Sequence, residues 1–181
     1  MPTSSQTISC SWTRKSLDLS TVLSIVLTDI VFRLNYGNDA IVVQLIDFGQ
    51  AIDMNFFPNK TTFSTKLSTE NFICTEMKEN KPWTFQLDLF CAASTIYSIL
   101  IGKYMTVVKQ NSIRCPYIFT GSIPRHLNKD VWTNLFLTLI NVPDCNSMPN
   151  LQNLRLTLKE AIELQEKTLA DKISQFNTAI A

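Results

Sequence analysis

The sequence predicts a mainly α fold with a short β-hairpin. Residues 87–101, LDLFCAASTIYSILI, are apolar on nearly every side and run up to Gly102. A helix that is apolar all round belongs in the middle of a domain. Residues 150–176 place Leu151, Leu154, Leu158, Ile162, Leu169, Ile173 and Phe176 at helical spacing, the mark of one or two amphipathic helices. Residues 40–48, AIVVQLIDF, are rich in Ile and Val and follow a turn-forming NYGND, so they read as a strand. Residues 19–34 are apolar and β-branched, and periodicity alone leaves strand and buried helix open. Taken with 40–48 they suggest a hairpin that ends at Asp47.

The rest of the chain divides by composition. Residues 1–18 are Ser/Thr-rich and aperiodic, as expected of a poorly ordered start. Residues 50–80 hold many Ser, Thr, Asn and Lys with scattered Phe and no lasting period, which predicts a long ordered loop. Residues 106–128 read as a polar loop. A helix is expected over 129–141, KDVWTNLFLTLIN, with Asn128 as N-cap and Pro143 as its stop. Neither a repeat nor a second domain is visible.

At 181 residues, with 45% hydrophobic and 17% charged residues, the chain is long and apolar enough for one domain with a sizeable core. A net charge of +1 leaves no global footprint for nucleic acid or an anionic membrane. The longest apolar runs are broken by Asp29 and Arg33 or fall short of the roughly 20 residues of a bilayer span, so no transmembrane helix is expected. The opening MPTSSQTISC lacks a signal-peptide pattern. Cys10, Cys74, Cys91, Cys115 and Cys145 form no C-x-x-C and read as reduced thiols. The single histidine, His126, excludes a His-rich zinc site and reads as a solvated turn residue rather than a base.

One tripeptide carries chemistry: Asp47-Phe48-Gly49, directly after a hydrophobic run. Such a D-F-G holds magnesium in protein kinases. Alone it is a weak signal. Here it sits within LIDFGQAIDM (45–54), and FICTEM (72–77), NKPWTFQLDLF (80–90), GKYM (102–105) and LINVPDC…PNLQNLR (139–155) follow in order. In this combination the chain resembles the C-terminal lobe of a eukaryotic protein kinase, specifically of the Bub-type mitotic checkpoint serine/threonine kinases. The match covers roughly 40–165. Residues 31–176 are therefore expected to form a partial kinase-like domain, with 1–30 an unmatched segment and the N-terminal lobe absent.

The resemblance implies a role for each matching residue. Asp47 would bind Mg²⁺ between the phosphates of Mg-ATP, with Phe48 and Gly49 completing the motif. Residues 50–73 would be the activation segment, whose Thr61, Thr62, Ser64, Thr65, Ser68 and Thr69 are either phosphorylation sites or plain loop hydroxyls. Glu76 would form a buried ion pair with an arginine, for which Arg155 is the candidate. Asp88 would start the central helix and hydrogen-bond the catalytic loop, or serve as a simple N-cap. The family setting implies checkpoint or kinetochore partners and a nuclear, kinetochore and cytoplasmic location.

The remaining parts of phosphoryl transfer have no match. The chain contains no G-x-G-x-x-G, no V-A-I-K-like lysine and no H-x-D-x-K-x-x-N. The nearest stretch, TDIVFRLN, offers Asp29 as a base, but its asparagine is one residue too far along and Val31 stands where a lysine is needed. Asp29 is better explained as a polar residue interrupting an apolar strand. Parts that act as a unit leave little rate when several are missing. The expectation is a truncated Bub-type kinase domain without catalysis; the alternatives are an active kinase, a non-catalytic interaction module and an unstable fragment. Residues 19–35 are expected either to fold over Asp88 or to stay loose.

Overall fold

The computed structural model describes residues 51–65, 73–125 and 127–180. The hairpin expected within 19–48, the cover expected for Asp88 from 19–35, and His126 lie outside these residues. The described chain runs through a 3-10 turn at Met54–Phe56, α1 (Thr75–Lys78), α2 (Gln86–Ile101), β1 (Thr106–Lys109), β2 (Tyr117–Thr120), α3 (Lys129–Ile140) and α4 (Leu151–Ile180).

The central helix is the one the sequence marks most clearly. From Gln86 to Ser94 every residue of α2 is buried, as are Ile96 and Tyr97. Gly102 ends it in the left-handed region at φ 73°, and its N–H donates to Ser98 O at 2.8 Å. Fully burying a large apolar side chain is worth roughly 1.5–3 kcal/mol. Leu87, Leu89, Phe90 and Ile96 on this one helix therefore form a substantial part of the core.

Helix α3 begins as expected at Asn128, whose side chain accepts from Val131 N. Its buried residues, Trp132, Leu135, Phe136, Leu139 and Ile140, repeat at the 3- and 4-residue steps of one helical face. The helix stops before Val142-Pro143, with Asn141 outside helical geometry. Helix α4 is a single helix rather than two. Asn150 accepts from Asn153 N at 2.9 Å and so caps it. Its 30 residues span about 45 Å. Leu151 and Leu158 are buried in the lobe and Leu154 and Ile162 half-buried, but from Glu163 onward the described side chains are exposed. Among the described residues no helix is long and apolar enough to cross a membrane.

The segment 106–128, expected as a polar loop, carries a β-hairpin. β1 and β2 pair antiparallel with Val107 opposite Phe119 and Lys109 opposite Tyr117. Val107 and Phe119 pack against the core, and Phe119 meets Tyr97 of α2 at 5.7 Å and Phe136 of α3 at 5.4 Å. Tyr97 and Phe136 are 5.5 Å apart, so three rings from three elements meet edge to face. Each such pair adds about 0.5–1.5 kcal/mol beyond its buried area. The Tyr97 hydroxyl donates to Thr120 O at 3.1 Å, and the chain passes so close above it that Gly121, at φ 116°, has no room for a side chain.

Two polar ties hold the hairpin. Asn141 accepts from Tyr117 N and donates to the carbonyls of Tyr117 and Leu137, all at 2.9 Å. Glu79, just after α1, binds Lys81 at 2.6 Å and also Lys109 of β1, and it accepts from the Tyr117 hydroxyl. These donors, Lys109 first, lower the Glu79 carboxyl from 4.5 to about 2. Burial, together with the Glu79 charge, raises the Tyr117 phenol.

Asn141→Ala is expected to destabilise the lobe by about 2–3 kcal/mol, because it strands the Tyr117 backbone groups; chemical denaturation measures it. Glu79 is depressed on folding, so its contribution is complete above about pH 4.5 and is lost as the pH falls through about 2. The difference in Tm between wild type and Glu79→Gln should therefore be constant above pH 5 and shrink between pH 4.5 and 2. A difference that stays level across that window would refute the role given to the carboxylate.

Candidate functional site

Asp29, Asp47, Phe48 and Gly49 lie outside the described residues, so the site can be followed only from Ala51 onward. Among the described residues no group of three or more His, Cys, Asp or Glu side chains could hold a metal ion. Asp53 caps the short turn that follows: it accepts from Asn55 N at 2.9 Å and from Asn55 Nδ2 at 2.6 Å. A second turn closes from Thr61 N to Pro58 O at 3.2 Å, with Lys60 at φ 69°. Phe56, at the end of the first turn, is 85% exposed, and Thr62, Ser64 and Thr65 are exposed as well.

The segment reaches the lobe at Trp83. Phe63 and Trp83 form an antiparallel bridge with both N–H···O distances at 2.9 Å. The Trp83 indole Nε1 donates to Thr65 O at 3.1 Å. The ring of Phe63 lies between those of Trp83 (5.3 Å) and Phe57 (5.4 Å). The K-P-W motif is visible in the sequence, but its partners 18 to 20 residues earlier are not, because a single bridge leaves no periodic trace.

The three residues expected in structural roles fare differently. Asp88 is buried at 3% exposure in the first turn of α2. It is not the N-cap, since that position is held by Phe85. The expected ion pair of Glu76 with Arg155 is not formed among the described residues. Glu76 instead accepts from the Thr75 hydroxyl at 3.1 Å, and its charge acts on Cys74 and Tyr117. Arg155 stands on α4 with its Nε buried and without a hydrogen bond. Burial, with a smaller contribution from Glu76, pushes the Cys74 thiol up to about 12, so it is an inert core residue.

Gln86 has no signal in its sequence context. Its Oε1 accepts from Thr84 N at 2.8 Å and from the Thr84 hydroxyl at 3.1 Å, which holds the turn that leads from Trp83 into α2. Its Nε2 donates to Cys145 Sγ at 3.4 Å, which in turn donates to Pro82 O at 3.5 Å. The loop after α3 thus ties to the Trp83 turn through Cys145.

No protein-family model matches the chain. It is 41% identical to the mitotic checkpoint serine/threonine-protein kinase BUB1 of Mus musculus over 133 residues, 71% of this chain and 12% of that protein. It is 36% identical to BUB1 of Arabidopsis thaliana over 65% of this chain and 23% of that protein. A third relative, the spindle assembly checkpoint kinase bub1 of Schizosaccharomyces pombe, is 34% identical over 72% of this chain and 13% of its own length. Among solved structures, the BubR1 kinase domain superposes with a TM-score of 0.67 at 30% identity, covering 98% of this chain and 57% of that one. The chain thus spans less than a quarter of each of these BUB1 relatives. Over roughly two thirds of its length it is similar to the Bub-type mitotic checkpoint kinases, and it has the fold of part of a kinase domain.

Proposed function

We propose that this chain serves mitotic checkpoint signalling as the helical half of a Bub-type kinase domain, binding checkpoint or kinetochore proteins, and that by itself it does not transfer phosphate. The observation that carries the reading is the Phe63–Trp83 bridge, which holds the activation-segment stretch as an ordered surface on a buried helical core. Phe56 and the neighbouring hydroxyls face outward from it, as a protein-binding surface requires. Catalysis is set aside on the residues themselves. Phosphoryl transfer depends on positioning and charge neutralisation. This sequence supplies Asp47 for the metal, but no glycine-rich loop, strand lysine or H-x-D-x-K-x-x-N to act with it.

The second reading, an active enzyme, rests on the D-F-G and on the kinase relatives. It requires Mg-ATP to bind at Asp47. A ligand that binds the folded state raises its Tm by mass action. No shift is expected at millimolar Mg-ATP, and no label should pass from γ-labelled ATP to a Ser/Thr protein substrate. A Tm increase that disappears in Asp47→Asn, accompanied by label transfer, would overturn the non-catalytic reading and establish the enzyme.

A further inference from the structure

We propose that the outer edge of β1 is a docking site for an acidic peptide, which adds to the hairpin as a third, extended strand. The edge follows from the phase of the ladder. Hydrogen-bonded and non-hydrogen-bonded residue pairs alternate along antiparallel strands. Gln110 N donates to Pro116 O at 2.8 Å, which fixes Val108 with Ile118 and Thr106 with Thr120 as hydrogen-bonded pairs of the same ladder. Val107 and Lys109 alternate with them, so their N–H and C=O groups point away from β2. The corresponding groups of Tyr117, opposite Lys109, point out of β2 and are taken by the Asn141 amide. Among the described residues nothing does the same for β1. β2 lies against α3, which leaves β1 as the outer strand. Such an edge accepts an extended peptide, whose backbone supplies the missing donors and acceptors.

The charge of the region selects the occupant. From Leu89 to Lys129 the chain has no Asp or Glu but five Lys or Arg: Lys103, Lys109, Arg114, Arg125 and Lys129. Lys103 precedes β1, Lys109 ends it and Arg114 stands in the loop to β2. Lys109 is bound to Glu79, whereas Lys103 and Arg114 are exposed and meet no carboxylate among the described residues. Apolar side chains stand beside these cations: Val108 is 40% exposed and Ile113 wholly exposed. A peptide that alternates carboxylates with apolar residues complements both, and its backbone pairs with the edge. A polyanion without backbone N–H groups can use the cations but not the edge. This surface is separate from the 51–65 stretch. The inference goes beyond the proposed function and holds whether or not the chain transfers phosphate.

The test titrates the full 181-residue chain into a fluorescein-labelled peptide, Glu-Val-Glu-Val-Thr-Val-Glu, and reads fluorescence anisotropy. Saturable binding is expected, with a midpoint below about 1 mM that rises with salt. Lys103→Glu with Arg114→Glu changes only exposed side chains, so Tm should stay at the wild-type value. The midpoint should rise about tenfold, the effect of reversing two exposed charges. The same peptide N-methylated at every residue keeps its carboxylates but cannot donate to β1, and it should not bind. Absence of binding by the parent peptide, or an unchanged midpoint in the double variant, would overturn the proposal. Equal binding of the N-methylated peptide would do so too, because charge alone would then suffice. Full displacement of the peptide by an oligothymidylate would assign the surface to nucleic acid instead. A chain that sediments as a dimer and binds no peptide would give the edge to a second copy, against the proposal.

Discussion

Everything described in this lobe depends on covering one helix. α2 is apolar on all faces, so it is stable only when enclosed. The elements around it are those that enclose it. α3 contributes Phe136, β2 contributes Phe119, and both meet Tyr97. Lys78 of α1 lies over the Phe90 ring at 5.8 Å. The hairpin is too small to stand alone, since an isolated two-stranded pair is marginal in water. It persists because Phe119 sits among the rings of α2 and α3, and because Asn141 supplies the partners that Tyr117 would otherwise find in a third strand.

Much of this is legible in the sequence, and the limits have physical causes. α2, α3 and α4 announce themselves by their apolar residues, and α2 and α3 also by Gly102 and Asn128 at their ends, because helical order is written in neighbours three and four residues apart. The hairpin is not legible for the opposite reason. T-V-V-K and Y-I-F-T are four residues each, and the seven-residue Q-N-S-I-R-C-P between them lacks the Asn-Gly or Asp-Gly of a tight turn. The Glu76–Arg155 pairing rests on family resemblance, and a resemblance transmits positions better than side-chain geometry. The Thr75 hydroxyl, one residue away, takes the Glu76 oxygen instead.

The candidate site is legible in its motifs but not in its joinery. D-F-G, C-T-E-M and K-P-W mark the family, yet the function of Trp83 emerges only when Phe63 and Thr65 come to it across the chain. Gln86 and Cys145, 59 residues apart, join in the same way. Contacts of this kind depend on the path of the backbone, and no local propensity encodes them. They are also the contacts that decide whether an irregular segment is held or free.

Stability and chemistry therefore occupy different parts of this molecule. The stability resides in α2 and its cover, which are continuous from Cys74 to Leu158. The chemistry that the family implies rests on Asp47, before that core begins, and on motifs this sequence does not contain. The segment between the two regions, 51–65, is fastened to the core through Trp83 while its apolar Phe56 and its hydroxyls face solvent. Selection acting on partner binding alone would preserve such a segment, because recognition needs an ordered surface and needs nothing from the magnesium site.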